Sequence, residues 1–261
     1  MELIMQVLPG FMLVFCRITS FFVVAPIFSS RVIPRTVKVG LAFFISLIVF
    51  LTVGFDTKVT MDATYILIVL REIFAGLIIG YTSYLFFTVV QTSGAMMDMQ
   101  MGFGMANIVD PITGVTAPIM GNFKFMLMML VFLSLNGHHY LISAIMDSYK
   151  WLPLDNQLFQ IYYGGQVTEF LTRTFADTFL LAVQIAAPII VTMFLTDFGL
   201  ALLARTAPQY NVFVIGLPTK ILIGLALLVL LLPGFSALFQ MVFDHMFKAL
   251  EKLFTILKSP S

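Results

Sequence analysis

Two adjacent imidazoles, His138 and His139, a scatter of carboxylates at Asp98, Asp110, Glu169, Asp177 and Asp197, and one thiol, Cys16, are the side chains whose types suit acid-base, metal or nucleophilic chemistry. Their spacing argues against each use. Neighbouring residues on a helix point about 100° apart, so the two imidazoles cannot chelate one ion together. Carboxylates buried in a membrane can serve in proton relays, but helix capping and loop solvation account equally well for Asp98 and Asp110. A single cysteine builds neither a disulfide nor a thiolate metal site within one chain. No GxSxG, HExxH, P-loop or dinucleotide fingerprint occurs. The expectation is a protein that is not an enzyme, with no catalytic residue, no cofactor and no bound metal.

The segment 96–118, MMDMQMGFGMANIVDPITGVTAP, offers a different kind of chemistry. Five methionines fall in its first ten residues, and Gly, Asn, Asp and Pro punctuate the rest. It is expected to be a loop at membrane depth. Irregular backbone survives there only where protein buries it or where it lines an aqueous cavity, because unsatisfied peptide groups in hydrocarbon cost several kcal/mol. Met97, Met99, Met101 and Met105 are unbranched and adaptable, which suits either a compliant seal around a passage or flexible core filling. Gly102 and Gly104 flank Phe103 and let the backbone bend around an aromatic stopper, which favours a closure element.

The elements that must carry these residues are helices in a membrane. Of the 261 residues, 60% are hydrophobic and 10% are charged, against about 25% charged in an average soluble domain. With a mean hydropathy of +1.03, the chain is excluded from the ordinary water-soluble globules. Net charge is +1 and the 14 basic residues are scattered, so there is no electrostatic footprint for nucleic acid. The start, Met1-Glu2-Leu3, is acidic where a secretory signal would be cationic, so the first apolar run is expected to be retained.

A spanning helix needs about 20 mostly apolar residues, and such runs lie near 3–28, 37–55, 64–90, 119–149, 178–203 and 212–243. The fold class expected is all-α, a polytopic membrane protein of about six hydrophobic helices. Several of these helices are poor lipid-facing ones: Arg17 lies in the first, Arg71 and Glu72 open the third, Asn136-Gly137-His138-His139 breaks the fourth, and the fifth carries Pro188 and Asp197. An ionisable residue at the bilayer centre costs roughly 2.5–3.5 kcal/mol on insertion scales, so Arg17 and Asp197 are expected to face protein or water. Gly76 and Gly80 form a GxxxG pattern that admits a close backbone neighbour, either within the chain or in another subunit.

Alternating six helices puts Arg31, Arg35, Lys38, Lys124, Arg205 and Lys220 on one side and Lys58, Arg71, Lys150, Arg173, Lys248, Lys252 and Lys258 on the other. That balance fixes no orientation, although short loops normally carry a clear bias. Its failure suggests that some segments are buried in an assembly. The polar stretch 147–177 is the longest interruption, and the main division is expected there. The stretch from Lys248 to Lys252 reads as an amphipathic tail lying on a surface.

Three stretches resemble the FliR/SctT family of type III secretion export-gate proteins: APIFSSRVIPRTVKVGLA from Ala25, MQMGFGMANIVDP from Met99 and RTAPQYNVFVIGLPTK from Arg205. A fourth, FLSLNGHHYLI from Phe132, is similar to the family's apolar-NGH-apolar signature, so the resemblance reaches from near Phe11 to the C-terminal tail. It implies a hetero-oligomer in which one copy closes a helical ring with FliP and FliQ, in company with FlhB and FlhA. That assembly forms the entry pore for unfolded flagellar proteins in the bacterial cytoplasmic (inner) membrane, at the flagellar basal body. It also implies a FliP-like portion, 1–175, containing the plug loop 96–118, followed by a FliQ-like helical hairpin, 176–261, with the amphipathic tail.

In this family the loop matching 99–111 plugs the channel. The resemblance therefore carries a plug or gasket role to Met99, Met101, Gly102, Phe103, Gly104, Met105, Ile108 and Val109, whose apolar character suits a dry closure. Gly104 and Met105 stand where relatives often carry Ser and Phe, and Phe103 is the expected principal stopper. Arg17, Gly76, Gly80 and Asp197 are expected in buried polar or packing roles. The rival readings are a virulence (injectisome) export gate, a small-solute secondary transporter using Arg17 or Asp197 near the midplane, and an intramembrane enzyme using His138 or His139.

Overall fold

A computed structural model describes residues 2–30, 33–53, 64–106, 118–154, 165–209 and 211–258. Its elements are α1 (Glu2–Val24), α2 (Arg35–Val53), α3 (Thr64–Met101), α4 (Phe103–Ala106), α5 (Ile119–Ser134), α6 (Gly137–Trp151), α7 (Gln166–Thr206) and α8 (Val212–Leu231), then a single 3-10 turn (Leu232–Gly234) and α9 (Phe235–Lys258). No strand occurs among the described residues, so the chain is all-α. Five stretches are long and apolar enough to cross a membrane, and α5 with α6, bent by 71° at their break, makes a sixth when counted as one span.

The boundaries differ from the apolar runs where helix propensity outlasts hydropathy. Thr, Ser, Gln and Met beyond residue 90 are less apolar than the run before them but compatible with helix, and α3 continues to Met101. In the same way α6 runs on to Trp151 and α7 begins at Gln166, so both ends of the polar stretch 147–177 are helical. The stretch from Lys248 to Lys252 is no separate tail. It is the continuation of α9, amphipathic as expected, with Met246, Leu250, Leu253 and Leu257 buried on one stripe and Glu251 and Lys252 exposed.

The chain divides into two compact units. One comprises Met1–Phe86, Leu133–Phe175 and Asp244–Ser261; the other comprises Phe87–Phe132 and Ala176–Phe243. In the first unit, Phe11 of α1 meets Phe43 and Phe50 of α2 edge-on, with ring centroids 5.5 and 5.9 Å away. The glycine pair of α3 lies on α1: a Cβ at Gly76 would strike Ser20 and the carbonyl of Arg17, and one at Gly80 would come within 3.0 Å of the Phe21 carbonyl. The neighbour that the GxxxG pattern admits is therefore α1 of the same chain. The break expected after residue 135 is also present, where Asn136 adopts a left-handed conformation (φ 55°) that an amide side chain tolerates.

In the second unit, Phe87 of α3, Phe132 of α5 and Phe243 of α9 share one aromatic cluster, with centroids 5.0–5.9 Å apart. Gly94 of α3 and Gly121 of α5 touch at their backbones, and a side chain at Gly94 would collide there. This contact brings the end of α3 and the start of α5 side by side.

Candidate functional site: the break at the end of the third helix

The sequence predicts an irregular methionine segment throughout, and the structure corrects this for 96–101. Methionine and glutamine are good helix formers, so they extend α3, and the interruption falls at one residue. Gly102 has φ +87°, a conformation that costs a residue with a Cβ but not glycine, and it ends α3 as an αL cap. One helical turn follows as α4, carrying Phe103 and Gly104 at intermediate exposure. Met105 also belongs to α4. Ile108, Val109 and Asp110 lie outside the described residues.

Helical spacing sorts the methionines onto different faces. Met97 and Met101, four residues apart, are fully buried, whereas Met99 points away and is 78% exposed. The Met101 side chain occupies the space that a Cβ on Gly224 of α8 would fill. Leu217, seven residues earlier on the same helix, closes over Gly102, where an added Cβ would lie 3.0 Å from its methyl group.

Polar groups inside this unit have local partners. Both carboxylate oxygens of buried Asp98 accept from the backbone N–H of Met120 at 3.1 Å, which places a negative charge at the positive N-terminus of α5. One turn further along α5, Lys124 is wholly buried. It donates to Ser93 Oγ (3.2 Å) and to Met97 Sδ (3.5 Å), and its ammonium lies 5.3 Å from the Phe235 ring centroid. The end of α3 is thus held to α5 by charge-assisted bonds and to α8 by a thioether in a notch. Among the described residues this arrangement places no nucleophile beside a base.

The remaining sequence-predicted residues are not part of this site. In the other unit, Arg17 of α1 is fully buried and pairs with Glu72 of α3 through Nε and Oε2 at 2.5 Å. It also donates to Ser148 Oγ (3.1 Å) and to the Leu152 carbonyl (2.9 Å), and its guanidinium lies 4.0 Å from the Tyr149 ring centroid. Arg71 bonds Glu72 Oε1 and the Pro153 carbonyl, each at 2.9 Å. Gly76 and Gly80 sit one and two turns along α3 from Glu72. Asp197 of α7 lies in the unit that holds the break and pairs with Lys220 of α8 at 2.5 Å, with side chains 47% and 21% exposed. Arg17 is therefore enclosed by protein, whereas Asp197 is exposed in this chain and meets protein through its pair with Lys220.

Sequence reasoning missed several participants. Lys124 was detectable as a lone cation in an apolar run, and Gly224 as a glycine inside a strongly apolar helix. Glu72 stands out in the sequence, but its partner lies 55 residues away, and nothing local connects them. The rings of His138 and His139 are 4.2 Å apart. Among the described residues, no group of three or more His, Cys, Asp or Glu side chains is placed to hold a metal ion.

Comparison with known proteins adds a consistent set of similarities. The model of the family described as bacterial export proteins, family 1, matches residues 8–246. The flagellar biosynthetic protein FliR of Bacillus subtilis (strain 168) is 35% identical over 256 residues, covering 98% of either chain. FliR of Aquifex aeolicus (strain VF5) is 32% identical over 251 residues, covering 95% of either chain. The Yop proteins translocation protein T of Yersinia pestis is 31% identical over 232 residues, covering 88% of either chain.

Proposed function

Because this chain belongs to the bacterial export proteins, family 1, we propose that it is a subunit of the export gate of the bacterial flagellar type III secretion apparatus, needed for flagellum assembly. Support for flagellar over virulence export comes from the relatives. Those named flagellar biosynthetic protein include the match at 35% identity and 98% coverage, whereas the Yop translocation protein matches at 31% and 88%. The alternative of an injectisome gate subunit rests on the latter similarity.

In this reading the chain lies in the cytoplasmic (inner) membrane at the flagellar basal body and forms part of a gated channel for unfolded proteins. It closes one ring with FliP and FliQ and works beside FlhB and FlhA. Residues 1–175 act as the FliP-like portion and 176–261 as the FliQ-like hairpin. The gate must pass unfolded chains yet hold back water and ions when idle. The segment from Met99 through Gly102, Phe103 and Gly104 to Met105, Ile108 and Val109 supplies that barrier, with Phe103 as the principal stopper.

The observation that carries the plug assignment is the break at Gly102, where a helix anchored by buried Met97, Asp98 and Met101 gives way abruptly to a short apolar turn. Deleting 102–108 in the assembled apparatus is expected to open an ion leak, read as conductance or as loss of growth at raised salt. Unchanged permeability would remove the plug assignment.

A further inference from the structure

Between Asp177 and Arg205 the sequence of α7 carries one ionisable side chain, Asp197, and α8 carries one, Lys220. At the helical rise of about 1.5 Å per residue, Asp197 stands ~12 Å from Arg205 and ~30 Å from Asp177, well inside the apolar stretch. The two helices run antiparallel here: Asp197 pairs with Lys220, and a Cβ at Gly216 would lie 3.2 Å from Leu200. Lys220 Nζ meets Oδ1 of Asp197 at 2.5 Å, yet the lysine is the more enclosed partner, 21% exposed against 47%. The pair is neutral, but what it turns outward is the carboxylate. Phe194 and Leu217, one turn from Asp197 and from Lys220, are exposed as well, so the carboxylate opens onto an apolar wall.

A carboxylate accepts at about four positions, and a single ammonium does not fill them. Lysine can reach along its flexible stem towards water, whereas aspartate has one methylene and cannot. Lipid tails supply no donor at this depth, and an open carboxylate there is costly. We infer that Asp197 is a docking point for an apolar helix of a neighbouring subunit, one that offers the carboxylate a positively charged or N–H donor side chain, while Lys220 fixes it from behind. This rests on the reading of the chain as one subunit of a gate. Side-chain hydrogen bonds join helices across apolar interfaces, and the sign of the outward charge selects the partner.

The test reverses the outward charge but keeps the pair. Tagged full-length chain is purified in mild detergent from cells making the whole apparatus, and the other gate subunits recovered per chain are measured. Asp197→Lys/Lys220→Asp preserves an ion pair within the chain, so its membrane-inserted yield should match the unaltered protein, but recovery of the neighbouring subunits should fall roughly tenfold, the scale on which one charge-assisted hydrogen bond acts on an equilibrium. Asp197→Leu/Lys220→Leu should likewise accumulate and assemble poorly, whereas Asp197→Asn, which keeps an acceptor, should be intermediate. Full recovery with the reversed pair would mean that the two residues only clasp α7 to α8, and assembly of the leucine pair at the unaltered level would mean that lipid covers this wall; either result overturns the inference and leaves the subunit reading standing. Should the reversed pair fail to accumulate, Asp197→Asn decides, and its recovering the neighbours in full overturns the inference. If the unaltered chain brings down no other gate subunit, the subunit reading falls first and the inference with it.

Discussion

At the scale of single residues, most of the cost and specificity in this chain lies in a few charges taken out of water. Glu72 is shared by Arg17 and Arg71, and all three are essentially inaccessible. Removing the shared carboxylate leaves cations buried without their counter-charge, a change that typically costs about 3–5 kcal/mol. Glu72→Ala is therefore expected to abolish accumulation of the folded chain or lower its thermal midpoint in detergent sharply, with Glu72→Gln intermediate because it keeps an acceptor. Lys150→Ala provides the contrast. Its pair with Asp147 is 2.7 Å long but largely exposed, and such pairs contribute about 0–1 kcal/mol, so its midpoint should hardly move. Equal losses for Glu72→Ala and Lys150→Ala would contradict this assignment. From the sequence it was legible that Arg17 would be enclosed by protein, because that conclusion needs only charge and hydropathy. The identity of its partners was not legible, since Arg17 meets Glu72, Ser148 and Leu152 only through the tertiary fold.

At the scale of elements, glycines divide into those that let helices touch and those that meet nothing. Gly76 sits where α1 and α3 meet backbone to backbone, so even a methyl group would force the helices apart. Gly199, inside α7, has no heavy atom within 4 Å of the position its Cβ would take. Gly76→Ala should destabilise the isolated chain by about 1–3 kcal/mol through overpacking, whereas Gly199→Ala should be neutral or stabilise it by up to about 1 kcal/mol through helix propensity. Thermal unfolding of both variants in one detergent would decide, and a destabilising Gly199→Ala together with a silent Gly76→Ala would reverse the assignment. The same logic explains which element boundaries are readable in advance. The break at Asn136 and Gly137 is visible because that pair readily adopts turn conformations. Hydropathy ends α3 too early because it fades near residue 90, while residues with adequate helix propensity carry the helix on to Met101. The tail misleads for the opposite reason, since the stripe of Leu250, Leu253 and Leu257 that suggests a surface-lying helix is buried against protein.

At the scale of the whole molecule, the question is what covers the apolar surface that the chain leaves open. Within the window Val214–Leu257 only 17% of residues are buried by the chain itself, and in Arg35–Thr52 only 22%, against 61% in Thr64–Met101. Lipid could cover this surface equally well, so apolarity alone does not distinguish a solitary protein from a subunit. The charges carry the distinction further. Arg71 and Lys124 belong to the two sides of the basic-residue balance, but both are buried inside protein. Taking one from each side leaves the two sides as evenly matched as before, so the positive-inside rule still assigns no orientation. A polytopic chain without its own topological bias is expected to depend on neighbours for its placement. Affinity purification in mild detergent from cells making the whole apparatus should therefore recover the chain together with FliP and FliQ, and expression without them should reduce its membrane-inserted yield. A stable, monodisperse monomer with unchanged yield in their absence would mean that lipid suffices to cover α2 and α8, and would overturn the proposal that this chain is one subunit of a gate.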